Sequence, residues 1–281
     1  MYEHRMTEDQ IVTFAAYLKA QEREKSTIEK YTRNVEEFYA WLNARSVSKE
    51  IVSAWKEHLV SCDIAPTTVN GKLAALSSFF DFAGWQECRV KQLRIQRRLF
   101  RDSNKELTRD EYEKLIQTAN VVGRKRLALV IETICATGIR VSELRYITVE
   151  ALQRGRAEIA LKGKIRTIII PNKLSRKLQK YANKQKIASG EVFLTRSKKG
   201  LSRKQVWAEM KALCQKAGVD ATKVFPHNLR HLFARCFYQA CHDIARLADV
   251  LGHSSIETTR IYLISTGIEL ARTLDSMRLI I

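Results

Sequence analysis

Hydrophobic positions recur every three or four residues over most of this 281-residue chain, and the period changes only once. Ile11, Phe14, Tyr17 and Leu18 fall on one helix side. So do Ile28, Tyr31, Val35, Phe38 and Trp41–Leu42, and later Val69, Leu73, Leu76, Phe79 and Phe80. Ser26-Thr-Ile-Glu29 has capping-box spacing, where a hydroxyl caps the first turn and a carboxylate reaches back to it. Pro66 suits the first position of another helix. About four short helices are predicted between residues 8 and 86, followed by Gly84 as a stop.

A second region opens near Glu106-Leu107-Thr108, with a capping box from Thr108 to Glu111. Leu127, Val130, Ile131 and Ile134 predict a helix that ends at Thr137-Gly138, and another starts at once with Arg140 in its first turn. The period then drops to two. Ala157–Leu161 and Arg166–Ile170 alternate, Lys162-Gly163-Lys164 lies between them and Pro171 follows, which spells a β-hairpin. Helices are predicted over 173–188, 203–217, 228–240, 243–251, 255–263 and 268–277. The fold class is mainly α in two domains: a helical domain 1–88, a basic linker 89–106, and a mostly helical domain 107–281 with a small antiparallel sheet. No internal repeat is visible.

Composition narrows the class. A hydrophobic fraction of 45% excludes a disordered tail, and no run of 18 apolar residues suggests a membrane span. Met1–Arg5 lacks the apolar stretch of a secretory leader, and Met6 serves equally well as a start. Six scattered cysteines beside apolar neighbours suit reduced thiols in the cytoplasm. Lys and Arg number 49 against 30 acidic residues, a net charge of +19. Such an excess favours a polyanionic partner, and nucleic acid fits better than a membrane. The stretch Arg89–Arg101 has six basic and no acidic residues in thirteen, without a clean apolar stripe, and reads as a linker along phosphates with Arg94, Arg97 and Arg98 as contacts.

Three stretches carry chemistry. In Pro226-His-Asn-Leu-Arg-His231, His227 and Arg230 share a helix face, suiting a guanidinium that grips non-bridging oxygens beside an imidazole that exchanges a proton. In Leu251-Gly-His-Ser-Ser-Ile-Glu-Thr-Thr-Arg-Ile-Tyr262, Gly252 ends one helix, Ser254 to Glu257 spaces a capping box, and His253 occupies the corner. Tyr262, about two turns on, is a poor nucleophile unless cations stabilise its phenolate, and core packing is its plain alternative. In Ala136-Thr-Gly-Ile-Arg-Val-Ser-Glu-Leu144, Arg140 follows a helix break with Glu143 three residues later.

Together these stretches resemble the tyrosine recombinase (phage integrase) family, nearest its compact Xer-like members. The family's Arg, Lys, His-x-x-Arg, His, Tyr order reads here as Arg140, Lys162, His227, Arg230, His253, Tyr262. The resemblance extends to a SAM-like core-binding domain through Ser26-Thr27-Ile28, Thr67–Asn70 and Phe79-Phe80, and no separate arm-binding domain is expected. It implies that Tyr262 attacks the scissile phosphate, that Arg140, Arg230 and His253 hold its oxygens, that His227 takes or shares the tyrosyl proton, and that Lys162 is the general acid. Lys162 sits just before Gly163 and matches better than Lys164, although Leu161 replaces a family glycine and the turn is shorter. Glu143 and His231 are supporting neighbours.

The resemblance also implies strand exchange on double-stranded DNA through a Holliday junction, by a homotetramer joined through the apolar C-terminal tail, with neither metal nor other cofactor. Lys30, Arg33, Asn34, Thr68, Asn70 and Lys72, opposite the apolar faces of the first domain, are the expected DNA contacts there. The alternatives are DNA relaxation of the type IB topoisomerase kind and a regulator that binds DNA without cleaving it. A zinc site from His227, His231, Cys236, Cys241 and His242 matches no ligand spacing.

Overall fold

A computed structural model describes residues 4–95, 103–161, 164–253, 255–263 and 275–277. The chain divides into two compact units, Met1–Arg97 and Arg98–Ile281.

The first unit is built from α1 (Glu8–Ala20), α2 (Lys25–Leu42), α3 (Lys49–Ser61) and α4 (Pro66–Ala83). Thr7 and Gln10 form the capping box of α1, and Pro66 opens α4 as its sequence predicts. The box predicted at Ser26 is not made. Helix α2 starts two residues earlier than that box requires, at Lys25, and Glu24 caps it through its carbonyl, which accepts from Thr27 and Ile28. The core is aromatic: Phe14 meets Phe79 edge-on at 5.4 Å between ring centroids, and Phe38 meets Trp55 at 5.1 Å. Each such pair contributes about 1 kcal/mol beyond its buried area.

This unit runs past the expected boundary at residue 88. Val90 and Leu93 pack on its core. The Asn70 amide accepts from Leu93 N at 2.8 Å and donates to Leu93 O at 2.9 Å, and Lys56 donates to Lys91 O. At the other end, Asn228 donates to Lys105 O and Arg235 binds Glu106 and Leu107 O. The predicted linker of 89–106 thus belongs at both ends to folded structure.

The second unit contains α5 (Arg109–Val121), α6 (Lys125–Thr137), a 3-10 turn Val141–Tyr146, α7 (Val149–Arg154), β1 (Arg156–Leu161), β2 (Lys164–Ile169), α8 (Asn172–Lys184), α9 (Arg203–Ala217), α10 (Pro226–Cys241), α11 (Ile244–Leu251), α12 (Ile256–Arg260) and a 3-10 turn Ile261–Leu263. Helix α6 is the spine, with Leu127, Val130, Ile131 and Ile134 buried. The hairpin registers Ala157 with Ile168 and Leu161 with Lys164, and Ala157, Ile159, Ile168 and Ile170 turn into the core. Of the predicted final helix 268–277, only 275–277 lie among the described residues.

Candidate active site

Four chain reversals aim the predicted groups at one place. Helix α6 ends at Gly138 in the left-handed conformation, Ile139 anchors in the core, and Arg140 caps the following turn. That turn is 3-10, where a regular helix is predicted. Glu143 lies in it at 1% exposure; its carboxylate accepts from Arg140 N at 2.7 Å and from Arg140 Nη1 at 3.0 Å. Pro226 opens α10, which carries His227, Arg230 and His231 on one face. Helix α11 ends at Gly252, again left-handed, and delivers His253. Ser255, rather than Ser254, caps α12. The 3-10 turn after α12 brings Tyr262 back against α10.

The result is a ring of imidazoles around a phenol. Tyr262 is 5% exposed. Its ring centroid lies 4.4 Å from His231, 5.7 Å from His253 and 6.0 Å from His227. His253 stacks nearly parallel to it, at 9°. Arg230 is 1% exposed, donates to Gly138 O and to Leu251 O (2.7 Å), and meets His253 Nε2 at 3.0 Å. The other nitrogen of His253 meets Thr259 Oγ1 at 2.9 Å. Tyr262 also belongs to a buried cluster with Ala234, Leu247 and Leu251, so the packing reading of this side chain describes where it sits.

Electrostatically the site is cationic. Arg140 and Arg166 share the buried carboxylate of Glu143, with Arg166 Nη2 reaching it at 2.6 Å, while Arg230 directs its fork to backbone carbonyls and His253. Burial, then the guanidiniums of Arg230, Arg140 and Arg166 and the His227 ring, push His253 down to about 4. His227 keeps an edge open to water, yet the desolvating wall beside it and the charges of Arg230, Arg140 and Arg203 hold it below its ordinary value. Both imidazoles are neutral at neutral pH. Excess positive charge with neutral bases suits an oxyanion and a proton acceptor together.

Beside the ring opens a cleft of about 330 Å³ lined by Arg140, Arg203, Trp207, Phe225, His227 and Arg230. Sequence reading did not single out Arg203 or Trp207. The available signal was two cations, Arg203-Lys204, in the first turn of a helix, where the dipole disfavours them. Lys162, with Gly163, lies outside the described residues, as do Arg97 and Arg98.

In the first unit, Lys30, Arg33 and Thr68 are exposed as expected, and so is Arg94. Three other expected DNA contacts are placed differently. Asn34 is buried, at 5% exposure, one helical turn before Phe38 on the core-facing side of α2. Asn70 is engaged with Leu93, and Lys72 pairs with Glu37. The five residues weighed for zinc form no ligand cluster. Among the described residues the one group whose ligand atoms converge is His4, Glu87 and Cys88. There His4 pairs with Glu87, and burial raises the Cys88 thiol to about 11, which makes it a poor ligand.

Residues 105–267 match the phage integrase family, and residues 11–87 match the phage integrase N-terminal SAM-like domain. Tyrosine recombinase XerA of Thermococcus kodakarensis is 30% identical, over 96% of this chain and 95% of its own. The enzyme of the same name from Pyrococcus furiosus is 29% identical over 100% of this chain and 98% of its own. Among solved structures, XerH bound to its difH substrate aligns with a TM-score of 0.69 at 20% identity, over 95% of this chain and 84% of that one. A lambda integrase tetramer on a Holliday junction aligns at 0.72 with 18% identity, over 90% and 76%. A SAM-like helical unit, an integrase unit and a recombinase fold are thus joined in one polypeptide, which belongs to the phage integrase family as a Xer-like, tyrosine-type site-specific recombinase.

Proposed function

We propose that this recombinase cuts and rejoins DNA through a covalent tyrosyl intermediate centred on Tyr262. The observation that carries this reading is the convergence of Arg230, His227, His231 and His253 on that one phenol. Tyr262 Oη attacks the scissile phosphorus, a new P–O bond forms, and the bond to the 5′-oxygen breaks. The phenolic proton passes to neutral His227, and the leaving 5′-oxygen takes a proton from Lys162. Arg140 and Arg230 neutralise the non-bridging oxygens as charge builds, and His253 adds a hydrogen bond. Glu143 holds Arg140 at the cleft, and His231 supports the phenol ring. The 3′-phosphotyrosine conserves the phosphodiester's energy, so the reverse attack by a 5′-hydroxyl reseals a strand without nucleotide or metal.

Two sites brought together by four protomers would exchange strands in two rounds through a Holliday junction, each C-terminal tail docking on a neighbour. The exposed Lys30, Arg33, Thr68 and Arg94, with Arg97 and Arg98, supply phosphate contacts that position the duplex without specifying sequence. Asn70 and Lys72 act indirectly here, by holding α4 to the chain after residue 88 and to α2.

Footprinting on DNA flanking the gene would give the target site, and a nicked suicide version of it is the test. Native protein is expected to form a denaturation-resistant adduct in excess chelator, and Tyr262→Phe none. A chelator-sensitive reaction, or an adduct that survives Tyr262→Phe, would overturn the reading. Relaxed circles from single protomers, without recombinant products, would assign the same chemistry to a topoisomerase.

A further inference from the structure

Strand β2 contributes a side chain to the site that the mechanism above does not use. Arg166 is largely buried, with only 12% of its side chain exposed. Its planar fork bridges two elements. Nη2 holds Glu143 Oε2 at 2.6 Å, in the turn that presents Arg140. Nη1 donates to Leu251 O and lies 3.4 Å from Val250 O, in the last turn of α11 directly before His253. The Leu251 carbonyl also receives Arg230, so one acceptor is shared by two guanidiniums. The stem of Arg166 passes over Gly252, where a Cβ would lie 2.3 Å from its Cδ and 2.7 Å from its Nη1.

We propose that Arg166 is a positioning residue that makes the seating of the β1–β2 hairpin and the assembly of the Arg140–Arg230–His253 cradle a single event. This rests on reading those three groups as the phosphate cradle. Glu143 is buried to 1% and offers its two oxygens to Arg140 and Arg166. Withdrawing the hairpin removes one partner from a buried carboxylate and a cation from the end of α11, where the helix dipole favours one. Both losses loosen the turns that aim Arg140 and His253. Conversely, a seated hairpin fixes both turns. A lysine at 166 has one point charge, and cannot span the carboxylate and the carbonyls as a fork does.

The test uses the full-length protein carrying Arg166→Met or Arg166→Lys. In hydrogen exchange without DNA, the amides of 156–169, 139–146 and 250–253 are expected to speed up together in Arg166→Met while the rest of the second unit keeps its protection. With the nicked target, single-turnover adduct formation at saturating DNA should fall by roughly 10²-fold, while Kd stays within about twofold. Added guanidinium ion should restore part of the rate, which a merely unfolded variant would not allow. If Arg166→Met does not fold, Arg166→Lys decides, with at least about a tenfold loss expected of it. A native cleavage rate in the folded variant, or exchange that rises in the hairpin alone, would overturn the inference. Failure of the native chain to form any adduct would instead remove the reading beneath it.

Discussion

His253 illustrates how neighbours set a side chain's chemistry. Its ring is pressed between Tyr262 and Arg230, and burial with surrounding positive charge brings it to about 4. In the unfolded chain the same imidazole titrates near 6.5. The unfolded state therefore binds more protons between those values, and the stabilisation present above pH 6.5 is lost as pH falls toward 4. This group alone should cost about 2 kcal/mol of stability by pH 5, and His227 adds in the same direction. Urea denaturation at pH 7.5 and pH 5 should show the loss, and His253→Gln should reduce it. Cleavage should follow the same sign, holding at neutral pH and declining in acid as His227 takes its proton too early. Much of this was legible in the sequence: Arg140, His227, Arg230, His253 and Tyr262 announce themselves by motif. Arg203 did not, because its importance lies in what it touches across the fold, and Arg166 showed in the sequence only as one more cation of the hairpin, with no sign of its partners.

At the level of elements, turns decide where the motifs point. Gly138 is the sharpest case. It holds φ +65°, its carbonyl takes Arg230, and a Cβ there would come within 2.4 Å of the Phe233 ring. Gly138→Ala should therefore destabilise the protein by about 2–4 kcal/mol and displace Arg230, which denaturation and single-turnover cleavage would register. Periodicity found the helices and the hairpin because burial of one face is a repeating local signal. It misjudged helix beginnings. Ser26 sits inside α2 because Glu24 already supplies the capping carbonyl, and Ser255 displaces Ser254 from the cap of α12. After Gly138 the chain forms a 3-10 turn where a regular helix is expected, although Glu143 closes a capping box on Arg140 N. The burial of Asn34 was legible but overlooked: it precedes Phe38 by four residues and so shares the core-facing side of α2.

Across the whole molecule, a net charge of +19 predicts binding that depends steeply on salt. Each phosphate contact contributes about 0.9 to the slope of log K against log salt. Lys30→Ala and Arg33→Ala should each flatten that slope by about 1 and weaken every duplex alike, measurable by fluorescence anisotropy across a salt series. Lys72→Ala, whose ammonium is committed to Glu37, should change it less. The same charge makes chance encounters with chromosomal DNA frequent. Against that traffic, the burial of the Tyr262 ring acts as a safety catch. On the proposed chemistry, the phenol would meet a phosphate only where the packing of the His231 and His253 rings around it allows. A polypeptide whose proposed nucleophile is packed away would thus adhere to a genome in many places and break it in few.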